Sequence, residues 1–276
     1  MRSYVLKSAV SLFAAALLMA GARPAEGQAA DSLRQLFRLP PPPTVDVGSR
    51  VAPAITLGTP AAFGADYGDA FAGLGFQATT RRRARPDGGA VVGFGLGNER
   101  EAVGVETAFS LFGTVRSCCR GGVSLKVHRL LPGRTAVAVG VENGAGWGEA
   151  IGTDEATDAG TSVYGVASRI FQIRPAATDP FNLLALTLGV GNGRFRRERD
   201  ILDGVERVNV FGGASLRMVE SLSVVTNWTG QDLVAGLSWV PSREWPVVIT
   251  PGVADLTTRP RFVVGIGMGM DYAPLF

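Results

Sequence analysis

The sequence predicts an all-β fold: an antiparallel transmembrane β-barrel of about 12 strands, with roughly 10 to 14 as the range the pattern admits. Three observations lead there. First, the stretch from Arg261 to Tyr272 puts Phe262, Val264, Ile266, Met268, Met270 and Tyr272 on one face. Arg261, Val263, Gly265, Gly267, Gly269 and Asp271 fall on the other. A period of two means a strand, and a large apolar face backed by a tiny or charged one suits a wall between lipid and a lumen. Second, the connections between such stretches alternate in length. Third, the chain is rich in glycine and poor in charge (37 Gly, 46% hydrophobic, 18% charged) yet lacks a second long apolar run. That excludes a helical membrane protein, which needs about 20 consecutive apolar residues per span.

Taken in order, residues 1–29 read as a secretory signal peptide. Arg2 and Lys7 precede the apolar stretch Ser8–Ala20, and small residues follow. Residues 30–51 read as a periplasmic arm or small plug. Leu33, Leu36 and Phe37 share a helical face, and Pro40 to Pro43 make a stiff linker. Residues 52–276 are assigned to the barrel.

The strand pattern recurs from about residue 70. Outward sets run Ala72/Leu74/Phe76, Val92/Phe94/Leu96, Val103/Val105/Thr107/Phe109, Val123/Leu125/Val127 and Val137/Val139/Val141. They continue as Tyr164/Val166/Ile170, Leu184/Leu186/Leu188/Val190, Val208/Val210/Ala214/Leu216 and Leu222/Val224/Thr226/Trp228. Leu233/Ala235/Leu237/Trp239, Val247/Ile249/Val253 and the final strand complete them. Odd connections are mostly long (Thr79–Gly88, Gly113–Gly121, Gly144–Thr161 and Arg194–Glu206), although Thr229–Asp232 and Leu256–Pro260 are short. Even ones are mostly tight (Asn98–Glu101, Leu131–Arg134, Met218–Ser221 and Pro241–Pro246), with Ile173–Phe181 longer. Outer-membrane barrels are built this way, with the long loops outside the cell. Pro251 cannot donate to a ladder, so its strand is expected to bulge or to form an edge.

The opposite faces carry glycines and scattered charges. Glu106, Lys126, His128, Glu142, Arg169, Arg217 and Asp271 are the candidate lumen-facing residues. Ionised groups are rarely buried without partners, so a wet or mutually paired lumen is expected, with Glu106, Lys126 and Glu142 pairing across neighbouring strands. Trp228, Trp239, Trp245 and Tyr272 stand near strand ends, where aromatic girdles belong.

No catalytic, cofactor-binding or metal-ligating set emerges. Ser124 and His128 share a face about 13 Å apart, too far to act together. Gly189–Gly193 lacks the Lys-Ser/Thr of a phosphate loop. Asn227-Trp228-Thr229 matches a glycosylation sequon but lies at a strand end. Cys118 and Cys119 are adjacent and lack the spaced partners of a zinc site. The net charge of +3 is slight. Arg81-Arg82-Arg83-Ala84-Arg85 is a basic loop cluster suited to lipopolysaccharide, and nothing requires nucleic acid.

The hairpin Asn227-Trp228-Thr229-Gly230-Gln231-Asp232-Leu233, with Gly191–Phe195 and Ile249–Leu256, is the most distinctive local sequence. Over roughly residues 180–272 the chain resembles an uncharacterised family of bacterial outer-membrane β-barrels, distantly similar to barrels associated with exopolysaccharide secretion. The resemblance implies a barrel and exopolysaccharide secretion partners. It implies no substrate.

The expectation is a non-enzymatic protein of the bacterial outer membrane: a narrow pore, or a structural or export-associated barrel. It needs no cofactor. Its partners would be outer-membrane lipids, lipopolysaccharide, and the barrel-assembly machinery through the C-terminal strand and Phe276. The alternatives are a barrel enzyme acting on lipid or envelope glycan, and a soluble periplasmic β-sandwich that binds a partner.

Overall fold

The computed structural model describes residues 52–81, 85–113, 120–148, 160–176, 178–242 and 244–271. The expected signal peptide, the proline-rich arm, the cysteine pair and Phe276 lie outside them.

Twelve antiparallel strands form a closed barrel. They are β1 Asp69–Gln77, β2 Asp87–Gly97, β3 Gly104–Phe112, β4 Arg120–Leu131, β5 Thr135–Trp147 and β6 Ser162–Gln172. The second half is β7 Leu183–Gly191, β8 Asn209–Val219, β9 Leu222–Trp228, β10 Leu233–Trp239, β11 Val247–Ala254 and β12 Arg261–Asp271. Each strand pairs with its sequence neighbours, and β1 pairs with β12 from Asp69↔Asp271 to Gln77↔Val263. Closure leaves no strand edge unpaired. A short α-helix, α1 (Glu198–Leu202), sits in the β7–β8 connection behind a 3-10 turn at Gly193–Phe195.

The connections define two ends. One, the loop rim, carries the described residues of the connections that follow β1, β3, β5, β7, β9 and β11 (78–81, 85–86, 113, 148, 160–161, 192–208, 229–232 and 255–260). The other, the turn rim, carries those that follow β2, β4, β6, β8 and β10 (98–103, 132–134, 173–176, 178–182, 220–221, 240–242 and 244–246).

Large apolar side chains face outward around the whole wall. Leu74, Val92, Phe109, Leu125, Val137, Leu188, Val210, Leu237 and Ile266 are all exposed. Trp228 at the loop rim, and Trp239 and Trp245 at the turn rim, are exposed as well. Inside, glycines make room for rings. A Cβ on Gly93 would collide with Phe71, one on Gly140 with Tyr164, and one on Gly189 with Phe211. Tyr164, Phe195 and Phe211 form a buried aromatic cluster, with the two phenylalanines stacked at 4.2 Å.

Two local expectations need correction. In β6 the faces are reversed: Tyr164 and Val166 point inward and are buried, while Val163 and Ala167 are exposed. The lumen holds an aromatic core against Phe195, so size alone misleads about which face points outward. At Pro251 there is neither an edge nor a bulge. β11 pairs on both sides, and its register with β10 is the same before and after the interruption at Leu237 and Ser238. The proline omits ladder bonds locally while the flanking pairs hold the strand in place.

Candidate functional site

The lumen is occupied by the chain itself. Residues 52–68, which precede β1, read Ala-Pro-Ala-Ile-Thr-Leu-Gly-Thr-Pro-Ala-Ala-Phe-Gly-Ala-Asp-Tyr-Gly. Two prolines and mostly small residues cannot extend a ladder, but they fit a narrow space. The wall therefore satisfies their backbone with side chains. The Ala54 N–H donates to Ser238 Oγ (2.7 Å), near the turn-rim end of β10. Farther along, the Leu57 N–H donates to Asn227 Oδ1 (2.7 Å), beside the loop-rim end of β9. Asn227 Nδ2 in turn donates to Thr59 Oγ1 (2.9 Å), and Arg194 donates to the Gly58 carbonyl (2.8 Å). The segment then descends. The Ala62 N–H meets Ser168 Oγ (3.0 Å), and the Ala65 N–H meets Glu106 Oε2 (3.0 Å). Asp66 returns to the turn rim, where its carboxylate accepts the Glu99 N–H at 3.0 Å. The segment thus climbs the lumen and comes back, held by a hydrogen bond every few residues.

The charged residues expected inside are placed as follows. Glu106 and Lys126 are register partners on β3 and β4, with Nζ 3.0 Å from Oε2. Lys126 also donates to the Phe63 carbonyl (2.9 Å). Glu142 pairs with Arg194 of the β7–β8 connection, at 2.8 Å for its second contact, rather than with Lys126. His128 is fully buried against the lumen segment. Arg217 faces inward and is half-buried. Arg169 does not face the lumen. It is exposed on the outer side, 4.8 Å over the Phe171 ring, a consequence of the reversed faces of β6. The Asp271 backbone pairs with Asp69, and its side chain lies outside the described residues.

A cavity of 740 Å³ remains between the segment and the wall. Thr56, Gly58, Thr59 and Pro60 line one side of it, and Glu106, Lys126, Ser124, Glu142 and Arg194 line the other. Its ionic groups are paired, and the Ser124 hydroxyl accepts the Asn143 N–H (3.0 Å). The cavity therefore presents fixed charge pairs to a polar solute.

Two further clusters were not visible in sequence. At the turn rim, His128 Nε2 stands 3.3 Å from Asp66 Oδ1 and 3.7 Å from Glu99 Oε2. Burial, and secondly the Asp66 carboxylate, push the Glu99 carboxyl above the usual carboxylate range. At the loop rim, Arg81 and Arg261 both pair with Asp232, and each stands 3.9 Å from Asp255. Arg81 also reaches Glu198 of α1 at 3.0 Å. Arg81 is thus bound into a network joining four connections, whereas Arg85 is exposed.

No protein-family profile matches this sequence. No curated protein matches it either. Among solved structures the chain is similar to the crystal structure of Neisserial surface protein A (NspA), at 9% identity and a TM-score of 0.19, covering 74% of this chain and 94% of that one. The closed barrel rests on the strand register, not on this likeness.

Proposed function

We propose that the chain is a non-enzymatic β-barrel of the bacterial outer membrane, a narrow conduit gated by its own segment 52–68 and serving envelope export. The observation that carries this reading is the lumen segment itself. From Ala54 to Ala65 it is fixed by side chains of Ser238, Asn227, Ser168 and Glu106, and its foot is tied to β2 by a single bridge between Tyr67 and Gly95. Such bonds contribute about 1 kcal/mol each, so the segment can be displaced without unzipping the wall. The continuous apolar exterior supports a bilayer setting: in water it would be an exposed patch far beyond the few hundred Å² usual for a soluble monomer. The non-enzymatic reading is supported by His128, which meets Asp66 and Glu99 rather than a hydroxyl nucleophile.

The proposed partners are outer-membrane lipids with lipopolysaccharide at the loop rim, the assembly machinery at the C-terminal strand, and polysaccharide secretion components. Planar-bilayer recording of the refolded full chain tests the gate. The wild type should stay closed at low voltage, and Asn227→Leu should open intermittently. A steady open channel in the wild type would sink the gate. Silence in both proteins would favour a purely structural barrel.

A further inference from the structure

His128 is 1% exposed, yet neither ring nitrogen has a hydrogen-bond partner, and Glu99 Oε2 is buried and unpartnered as well. Buried polar atoms are nearly always satisfied, so two such atoms facing each other at 3.7 Å need a cause. The third group at the spot is the Asp66 carboxylate, and the three donor atoms lie within 4.8 Å of one another. The strand opposite leaves space there. Gly104 pairs with His128 in the register, and a Cβ on Gly104 would collide with Asp66 Oδ1 and His128 Nε2.

We propose that Asp66, Glu99 and His128 form a zinc site that fastens the lumen segment to the barrel wall at the turn rim. Zinc binds imidazole nitrogen and carboxylate oxygen at about 2.0 to 2.2 Å, and tetrahedral geometry then sets ligand atoms roughly 3.3 Å apart. The observed separations from Nε2, 3.3 and 3.7 Å, suit that geometry with little movement. Three protein ligands and a water complete the tetrahedron. The imidazole selects zinc over magnesium or calcium, which prefer all-oxygen sites. The cation also offsets two carboxylates crowded together, a crowding already felt by Glu99.

The ligands come from three places: the returning limb of the lumen segment, the β2–β3 turn and β4. A metal there ties the segment to the wall beyond the hydrogen bonds that hold it. Because the unfolded chain cannot assemble the three ligands, zinc would raise the melting temperature in a concentration-dependent way.

The test uses the full chain, refolded in detergent, stripped with chelator, and titrated with zinc chloride against a chromophoric competitor. Thermal unfolding by circular dichroism is the second readout. The wild type should take up one zinc per chain and melt higher with zinc but not with magnesium. Glu99→Gln and His128→Gln should each weaken binding by more than about tenfold, since even supporting residues of metal sites cost roughly 10- to 100-fold. Serine at both Cys118 and Cys119 should change nothing. If His128→Gln does not refold, Glu99→Gln decides, because Glu99 lies in a turn rather than in the wall. Full zinc affinity in a folded Glu99→Gln protein overturns the proposal. So does failure of the folded wild type to bind zinc stoichiometrically, or loss of binding in the cysteine variant.

Discussion

Asn227 and Thr59 are joined across the lumen by an Nδ2 to Oγ1 hydrogen bond of 2.9 Å, while Asn227 Oδ1 accepts the Leu57 N–H at 2.7 Å. One wall residue therefore holds two points of the inserted segment at its highest turn. Asn227→Leu would strip the segment of both partners. It should lower unfolding stability by about 1 to 3 kcal/mol, because a backbone donor is left buried and unpaired. Denaturant titration of the refolded barrel checks this, and an unchanged midpoint would mean that Asn227 does not hold the segment.

The outer wall makes a second prediction. Ile266→Arg or Leu186→Arg should impair insertion by about 2 to 4 kcal/mol at the midplane of a bilayer. Gly265→Ser should be far milder, since a Cβ there meets only Leu57 Cδ1, at 3.8 Å. Equal refolding yields for the two kinds of variant would show that the faces are misassigned.

Lys126→Met removes the partner of Glu106 and the donor to Phe63. For this partly screened pair a stability loss of about 1 to 3 kcal/mol is expected. Envelope lipid composition should stay unchanged in cells carrying the variant. A lipid profile matching that of the deletion strain, at normal protein level, would favour the enzyme alternative.

Orientation in the membrane is checked by labelling intact cells. β5 runs on to Trp147, so Ala145 belongs to the wall rather than to the following loop. Gly160 in the β5–β6 connection and Pro132 at the turn rim are the informative positions. Cysteine at 160 should react with an impermeant reagent from outside, and cysteine at 132 should not. The reverse pattern would invert the topology.

A pH dependence follows from Glu99. Its carboxyl is raised in the folded protein, so folding favours the protonated form. The associated stability is present below the unfolded value of about 4.3 and is lost as pH rises through the folded value. Metal-free Glu99→Gln should therefore show a flatter stability profile across the mildly acidic range, measured by thermal unfolding. An identical slope in the wild type and the variant would remove Glu99 as its source.

The strand content was legible because alternation is dictated by the pleat itself, and from Ala185 to Gly191 in β7 and from Ile266 to Met270 in β12 small inward residues alternate with large outward ones. Where the lumen carries its own hydrophobic core, alternation remains but its sense is lost. Tyr164 and Val166 are as large as outward-facing residues, and their place in the buried cluster with Phe195 and Phe211 explains why they turn inward. The pairing of Glu106 with Lys126 could be anticipated from neighbouring strands. Glu142 chose Arg194 because a loop, rather than a strand, supplies the nearest cation. The inserted segment gave a weaker signal: a run of alanine, glycine and proline before the first strand, with no period of its own. The Asp66–Glu99–His128 cluster gave none, because it takes both the pairing of β3 with β4 and the return of the lumen segment to the turn rim to bring those residues together.

The central claim is a lipid-facing wall around a lumen filled by the chain itself. It is tested most directly by cysteine reactivity along β7, with Cys118 and Cys119 replaced by serine and the protein refolded into bilayers. Leu186→Cys and Leu188→Cys should react with a small bilayer-soluble thiol reagent and resist a water-soluble one. Thr187→Cys, which is buried inside beside Ser168, should resist both. Rapid reaction of position 187 with the water-soluble reagent, or protection of 186 and 188 from the bilayer-soluble one, would contradict the account.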